Sequence, residues 1–146
     1  MKRTLLIPAI LILGVVSAAG QSSGPIAARK DMMKNVAKAN GEVGKIMKGE
    51  APFKLETVQA ALKIMVESAK TMPEYYPDNA KNGGETRALP KIWDAKADFN
   101  AQWAKFGKEA AEAAAKITDE ASFKASYGAV LKNCDSCHDV YRAPKI

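Results

Sequence analysis

The chain has 146 residues and a formal net charge of +6, from 22 basic and 16 acidic residues. The basic residues are interspersed with acids instead of forming one patch, which argues against nucleic-acid binding and favours solvated helix faces. The length is that of a single domain, and the chain contains two cysteines and one histidine.

The first 20 residues have the three-part layout of a secretory signal peptide. Lys2 and Arg3 precede an apolar run, residues 5–16, and small residues follow the run up to Gly20. This run is shorter than the roughly 20 apolar residues that a membrane-spanning helix needs. We therefore expect export to the periplasm and cleavage after Ala18 or Gly20.

Cleavage would leave residues 21–146 as the mature domain. The loss of Lys2 and Arg3 removes two positive charges and no acid, so the net charge falls from +6 to +4. No later segment of the sequence is apolar enough to span a membrane. We expect a mature protein that does not cross the bilayer.

Apolar residues recur with the 3.6-residue period of an amphipathic helix through almost all of the mature chain. The predicted helices are residues 28–47, 56–72, 90–116 and a last segment from a cap at Thr118 or Asp119 to residue 141. Residues 73–90 contain three prolines and a Gly-Gly pair, and we predict a loop there. No segment shows the alternation of a strand. The pattern predicts an all-α fold, an antiparallel four-helix bundle.

Both cysteines and the only histidine lie within five residues of the last predicted helix, in the segment LKNCDSCHDVYR, residues 131–142. Cys134 and Cys137 continue the apolar stripe of this helix, and His138 lies one turn after Cys134. The two thiols and the imidazole are therefore predicted to face the interior of the bundle.

Three interpretations of this C-x-x-C-H motif explain it less well than a fourth. A zinc site would need carboxylates to complete its ligands, because the chain has no further Cys or His. A thiol–disulfide active site prefers a helix N-terminus, where the dipole lowers the thiol pKa, whereas this motif lies near the C-terminal end of the last predicted helix. A structural disulfide would close a very short loop, stabilise little and leave His138 unexplained.

The fourth interpretation is a covalently attached haem c. In this interpretation Cys134 and Cys137 form thioethers with the porphyrin vinyl groups, and His138 binds the iron as the proximal ligand. The spacing suits this chemistry because two sulfurs must reach one porphyrin edge while the adjacent imidazole reaches the metal. A signal peptide together with this motif favours haem c over the other three.

With these motifs the sequence resembles the class II cytochromes c, the family of cytochrome c′ and cytochrome c-556. CDSCHDVYR resembles the end of the last helix in that family, and LPKIW resembles the start of its third helix. ARKDMMKNVAKANGEVGKIMKGEAPF resembles its first helix. The resemblance covers the whole mature chain and implies a four-helix bundle around one haem c.

The resemblance also implies roles for two residues of the first helix. Arg29 corresponds to an arginine near a haem propionate, and Met33 corresponds to the distal position. Met32 competes with Met33, although neighbouring side chains on a helix point about 100° apart. A bis-histidine haem is excluded by the single histidine. The distal ligand is Met33, another methionine (Met47, Met65 or Met72), or the site is open.

Two functions follow from these alternatives. With Met33 opposite His138, the protein is a one-electron carrier with six-coordinate, low-spin iron. With an open site, the iron is five-coordinate and binds small gases such as NO or CO, as in cytochrome c′. No acid–base or nucleophile constellation accompanies the motif, so we predict no enzyme and no catalytic residues. The expected partners are small redox proteins or membrane electron-transport complexes. A homodimer formed through the first two predicted helices is left as an open alternative.

Overall fold

The computed structural model describes residues 24–82 and 85–144, so the predicted signal segment, residues 1–20, lies outside the described residues. The helices are α1 (Pro25–Met47), α2 (Leu55–Thr71), the one-turn α3 (Lys91–Asp94), α4 (Lys96–Lys116) and α5 (Glu120–Tyr141). Two 3₁₀ turns, Met72–Tyr75 and Asp78–Ala80, lie in the connection between α2 and α3. The described residues form no strand beyond an isolated bridge between Ala88 and Arg142. The predicted four-helix bundle is confirmed.

The third predicted helix, residues 90–116, is interrupted at Ala95, where the backbone leaves the helical conformation (φ −123°, ψ 47°). Contacts with the preceding loop hold this turn. The Trp93 indole nitrogen donates to the Pro77 carbonyl at 3.1 Å, and Lys96 Nζ donates to the Tyr76 carbonyl at 2.6 Å. The prediction of one continuous helix was wrong because helical periodicity does not report such tertiary contacts.

Consecutive long helices pack side by side, α1 on α2, α2 on α4 and α4 on α5. The helices α2 and α4 approach closely where Gly107 faces Ala69, because a Cβ atom on Gly107 would lie 2.8 Å from that of Ala69. In the described part of the chain, α1 has at most sparse contact with α4 and α5. The bundle is therefore tight on its α2–α4 side and looser between α1 and the α4–α5 pair.

The end of the bundle that carries the two short connections is filled by apolar side chains, and we call it the closed end. Its members are fully buried side chains of α1, α2, α5 and the connection between α4 and α5: Val43, Val58, Leu62, Ile117 and Phe123. The Phe123 ring packs between those of Phe53 (5.6 Å between centroids) and Tyr127 (5.3 Å).

Polar groups at the closed end have partners. Gln59 Nε2 donates to the carbonyls of Ala114 and Ile117, both at 2.9 Å, and so caps the last turn of α4. Asp119 accepts the backbone N–H of Ser122 at 2.8 Å, and the Ser122 hydroxyl accepts the Asp119 N–H at 3.1 Å. This capping box starts α5 and decides between the two predicted caps in favour of Asp119.

Candidate functional site

A cavity lies toward the opposite end of the bundle, between α1, α4 and α5, and we call this the cavity end. Its lining residues come from these three helices: Met33, Val36, Gln102, Trp103, Phe106, Asn133, Cys134, Cys137 and His138. The fold thus brings the three motif residues of α5 together with Met33 of α1. The cavity lies where α1 has at most sparse contact with α4 and α5 in the described part of the chain.

The motif residues reach the cavity because they share one face of α5. Positions three and four apart on a helix are neighbours, so Cys134, Cys137 and His138 form a single patch. All three are half-buried, and the two cysteines do not form a disulfide with each other. One turn further on, the Tyr141 ring packs edge-on against Phe99 of α4, with 5.2 Å between centroids. This contact orients the last turns of α5 toward α4.

Burial makes the two thiols weak acids. It raises the pKa of Cys137 to about 11, and the neighbouring Cys134 adds to that increase. Burial and the carboxylate of Asp135 also raise the pKa of Cys134. Thiol–disulfide exchange proceeds through a thiolate and needs a lowered pKa, so this environment argues against a thiol redox site.

The surroundings of the His138 imidazole favour its neutral form. Burial lowers its pKa, and the positive charge of Arg142 lowers it further. A neutral imidazole has a free nitrogen lone pair, which is the form that binds a metal.

Met33 is the one methionine among the cavity-lining residues. Its neighbour Met32 faces α2, where its sulfur accepts a 3.5 Å hydrogen bond from the Thr71 hydroxyl. Met65 and Met72 are fully buried in the core away from the cavity lining, and Met47 is 39% exposed. Of the five methionines considered as distal ligands, Met33 is therefore the one whose side chain lines the cavity.

Arg29 lies one turn before Met33 and is 3% exposed. Its guanidinium donates to the carbonyls of Tyr75 and Ala80, both at 3.3 Å, and to the Thr86 hydroxyl at 2.9 Å. It also stacks on the Tyr76 ring, 4.6 Å from the centroid. Arg29 thus ties the connection after α2 to the start of α1, and its side chain is outside the cavity lining.

The Arg29 charge has no carboxylate partner among the described residues. Burial lowers its pKa. Buried charges are usually paired. An anion close to the start of α1, such as a haem propionate, would supply the missing partner.

Sequence reasoning did not single out two further cavity residues. The indole nitrogen of Trp103 is buried and has no hydrogen-bond partner in the described part of the chain. Asn133 immediately precedes Cys134 and is 4% exposed. In the sequence, the one feature that could have pointed to Asn133 is that it is a polar residue directly before the motif.

Asn133 links α5 to α4 with all of its polar atoms. It accepts from Lys105 Nζ at 2.8 Å and donates to Glu109 Oε2 at 2.6 Å and to the Val130 carbonyl at 3.1 Å. Lys105 and Glu109 are themselves paired at 2.7 Å. This network fixes the position of Cys134, the first cysteine of the motif, along the axis of α4.

The lining of the cavity fits a haem. Val36, Trp103 and Phe106 supply apolar surface for a flat ring, and the imidazole and thioether side chains are ligand types that haem iron takes. The unpaired indole donor in the same wall would be satisfied by an oxygen atom of such a group. Cys134 and Cys137 could attach it, and His138 could bind its iron.

Comparison with known proteins agrees with this fit. A family model described as cytochrome c′ matches residues 24–142. Cytochrome c′ of Rhodopseudomonas palustris is 41% identical over 143 residues, which is 98% of this chain and 97% of that protein. A cytochrome c-556 of Agrobacterium tumefaciens is 38% identical over 122 residues, 81% of this chain and 94% of that protein.

A solved structure gives the same result for the fold. The structure of cytochrome c′ from Rhodopseudomonas palustris superposes with a TM-score of 0.82 at 43% identity and covers 85% of this chain and 99% of that chain. The chain therefore belongs to the cytochrome c′ family, whose cofactor is a covalently attached haem c with iron.

Proposed function

We propose that this c-type cytochrome carries single electrons through a haem attached to Cys134 and Cys137, with His138 as proximal and Met33 as distal ligand. One observation carries the proposal. Met33 on α1 and His138 on α5 line the same cavity from two different helices, which is the arrangement that two axial ligands of one iron need.

The roles of the residues follow from their chemistry. When bound, the haem supplies a one-electron ferric–ferrous couple. His138 offers a neutral nitrogen ligand because burial and Arg142 lower its pKa. Met33 offers a soft thioether, which favours ferrous iron and raises the potential. Ligands that stay the same in both redox states keep the reorganisation on electron transfer small.

Arg29 is proposed to lie near a haem propionate. The support is its burial without a carboxylate partner and its position one turn before Met33. Its hydrogen bonds to the connection after α2 hold the guanidinium in place, so a propionate would meet a charge that is already oriented.

We propose that residues 1–20 export the chain to the periplasm and that residues 21–146 form one domain there. Among residues 24–82 and 85–144, no helix combines the length and the apolar character needed to cross a bilayer. The proposed partners are small redox proteins or membrane electron-transport complexes, without nucleic acid and without catalysis of a further reaction. A homodimer through α1 and α2 is an alternative to a monomer, and sedimentation of the holoprotein distinguishes the two.

The alternative is a five-coordinate haem that binds NO or CO. It is favoured by the apolar side chains of Val36, Trp103 and Phe106 around the cavity, which suit a small uncharged gas. The matched relatives include proteins named cytochrome c′ and proteins named cytochrome c-556, so the names do not choose between the two functions.

Optical spectra of the holoprotein and of a Met33→Ala variant test the axial ligand. With Met33 bound, the ferric protein shows the weak near-infrared band of a sulfur ligand, and the ferrous protein shows sharp low-spin visible bands. Met33→Ala should then become high-spin and bind CO or NO far faster than the parent. Met32→Ala is the matched control, because Met32 faces α2 and should leave the spectrum unchanged.

A wild-type haem that is already high-spin and binds gas readily would contradict the electron-carrier proposal. In that case Met33 is only a packing residue of the cavity wall, and gas binding replaces electron transfer as the proposed function.

A further inference from the structure

The indole N–H of Trp103 is the one buried side-chain nitrogen or oxygen in the described part of the chain that lacks a hydrogen-bond partner. The side chain is 9% exposed. The other tryptophan behaves differently, because the Trp93 indole donates to the Pro77 carbonyl at 3.1 Å. A buried donor costs free energy when it is left unpaired. Trp103 therefore needs a partner that the protein chain itself does not provide.

The position of Trp103 indicates where this partner comes from. Two contacts between α4 and α5 lie on either side of it: Phe99 against Tyr141, and Lys105 to Asn133. Trp103 is thus opposite the stretch of α5 that carries the haem motif, and it lines the same cavity as Cys134 and His138.

The ring is also held in one orientation. Trp103 packs edge-on against Phe99, with 6.3 Å between centroids, and against Phe106, with 5.9 Å. Both neighbours are buried residues of the same helix. The indole is therefore fixed between them before any partner arrives, so the donor is preorganised.

We propose that Trp103 Nε1–H donates a hydrogen bond to an oxygen atom that the haem holds in this cavity. Two such oxygens exist: a carboxylate oxygen of a haem propionate, and the terminal oxygen of a diatomic molecule bound to the iron. Both are acceptors without a competing donor of their own, which matches an indole that can only donate. The proposal depends on the haem and not on Met33 as a ligand.

The test compares the holoprotein with Trp103→Phe, which removes the donor and keeps an aromatic ring. If the acceptor is a propionate, the substitution removes a hydrogen bond that stabilises the ionised form of that propionate. The pKa of the propionate then rises by an amount that corresponds to about a fivefold change in proton affinity. The bend in the profile of midpoint potential against pH then moves to higher pH. Trp93→Phe is the control and should leave that bend in place.

If the acceptor is a diatomic ligand, the pH profile stays unchanged and the ferrous CO adduct reports the bond instead. In Trp103→Phe the infrared C–O stretch should rise, and CO should dissociate about fivefold faster. Where Met33 excludes CO, the comparison is made in the Met33→Ala background. A change in neither the pH profile nor the CO adduct overturns the proposal.

A measurement on the unmutated protein keeps the proposal testable even if Trp103→Phe folds poorly. The chain has two tryptophans, so labelling with ¹⁵N-indole gives two N–H signals in the ferrous holoprotein. The Trp103 signal should shift either when the pH passes through the propionate titration or when CO is added. A Trp103 signal that responds to neither also overturns the proposal. Spectra that refute Met33 as a ligand leave these readouts intact.

Discussion

The closed end and the cavity end of the bundle are built on different principles. At the closed end, fully buried Val58, Leu62 and Phe123 fill the interior, and polar groups such as Gln59 find partners within the chain. At the cavity end, Trp103 has an unpaired donor. The first region is complete as a protein structure, whereas the second needs a group that is not made of amino acids.

The difference is visible even along one helix. The N-terminal half of α5 begins with a capping box and continues with the fully buried Phe123 and Tyr127. Its C-terminal half carries three half-buried groups, Cys134, Cys137 and His138. Since a half-buried thiol or imidazole gains little from packing, the proposed attachment of the haem explains these three residues better than the stability of the bundle does.

The largest expected effect is that of Cys134→Ala combined with Cys137→Ala. The variant should lack covalent haem, and the cavity end should lose its packing because no side chain replaces the ring. We expect protease cleavage and rapid amide hydrogen exchange in the adjoining halves of α1, α4 and α5, with protection retained at the closed end. Mass spectrometry and site-resolved exchange measure both effects.

The control for this variant is Ser136→Ala, which lies between the two cysteines, is exposed and should keep the haem. A double cysteine variant that melts as cooperatively as the holoprotein would show that the cavity end does not depend on its cofactor. The proposed contrast between the two ends would then be wrong.

Phe123→Ala tests the closed end alone. Phe123 is fully buried between Phe53 and Tyr127, and truncation of such a ring lowers the free energy of unfolding by about 3–5 kcal/mol. The haem spectrum should stay unchanged because the residue is far from the cavity lining. Chemical denaturation and visible spectra check the two parts, with Phe123→Leu as a milder control. A changed spectrum at unchanged stability would reverse the assignment of the two ends.

Gly107→Ala examines the tight contact of α2 and α4. The added Cβ would lie 2.8 Å from that of Ala69, which neither helix can relieve by rotating a side chain, so we expect destabilisation by about 1–3 kcal/mol. Gly128→Ala on α5 is the matched control. Its Cβ meets nothing within 4 Å, and higher helix propensity should stabilise the protein by up to about 1 kcal/mol. Equal effects of the two substitutions would refute the close approach.

The smallest expected effect is that of Asp119→Ala, which removes the cap of α5 and should lower Tm by a few degrees at neutral pH. Hydrogen bonds from Ser122 lower the pKa of the Asp119 carboxyl. A lowered pKa in the folded state means that the cap stabilises fully above the ordinary pKa of 3.8 and is lost as the pH falls through the lowered value. The difference in Tm between parent and variant should therefore vanish in strong acid. A difference that persists there would show that the effect is not that of the ionised cap.

The sequence alone was sufficient for the four long helices, apart from the break at Ala95, and for the cofactor. The apolar stripes predicted all four long helices because helical periodicity depends on residues within a turn of one another. The C-x-x-C-H spacing predicted haem c because two thioethers and one imidazole on adjacent turns suit a single porphyrin. The cap at Asp119 was predicted as one of two residues for the same local reason.

Only the tertiary structure decided which side chains meet. The break at Ala95 depends on bonds from Trp93 and Lys96 to a loop that lies outside the helix. The position of Met33 in the cavity, and of Met32 against α2, depends on how α1 is rotated about its axis. No sequence pattern reveals that the Trp103 indole is unpaired. A missing hydrogen bond can be recognised only when the positions of all neighbouring atoms are known.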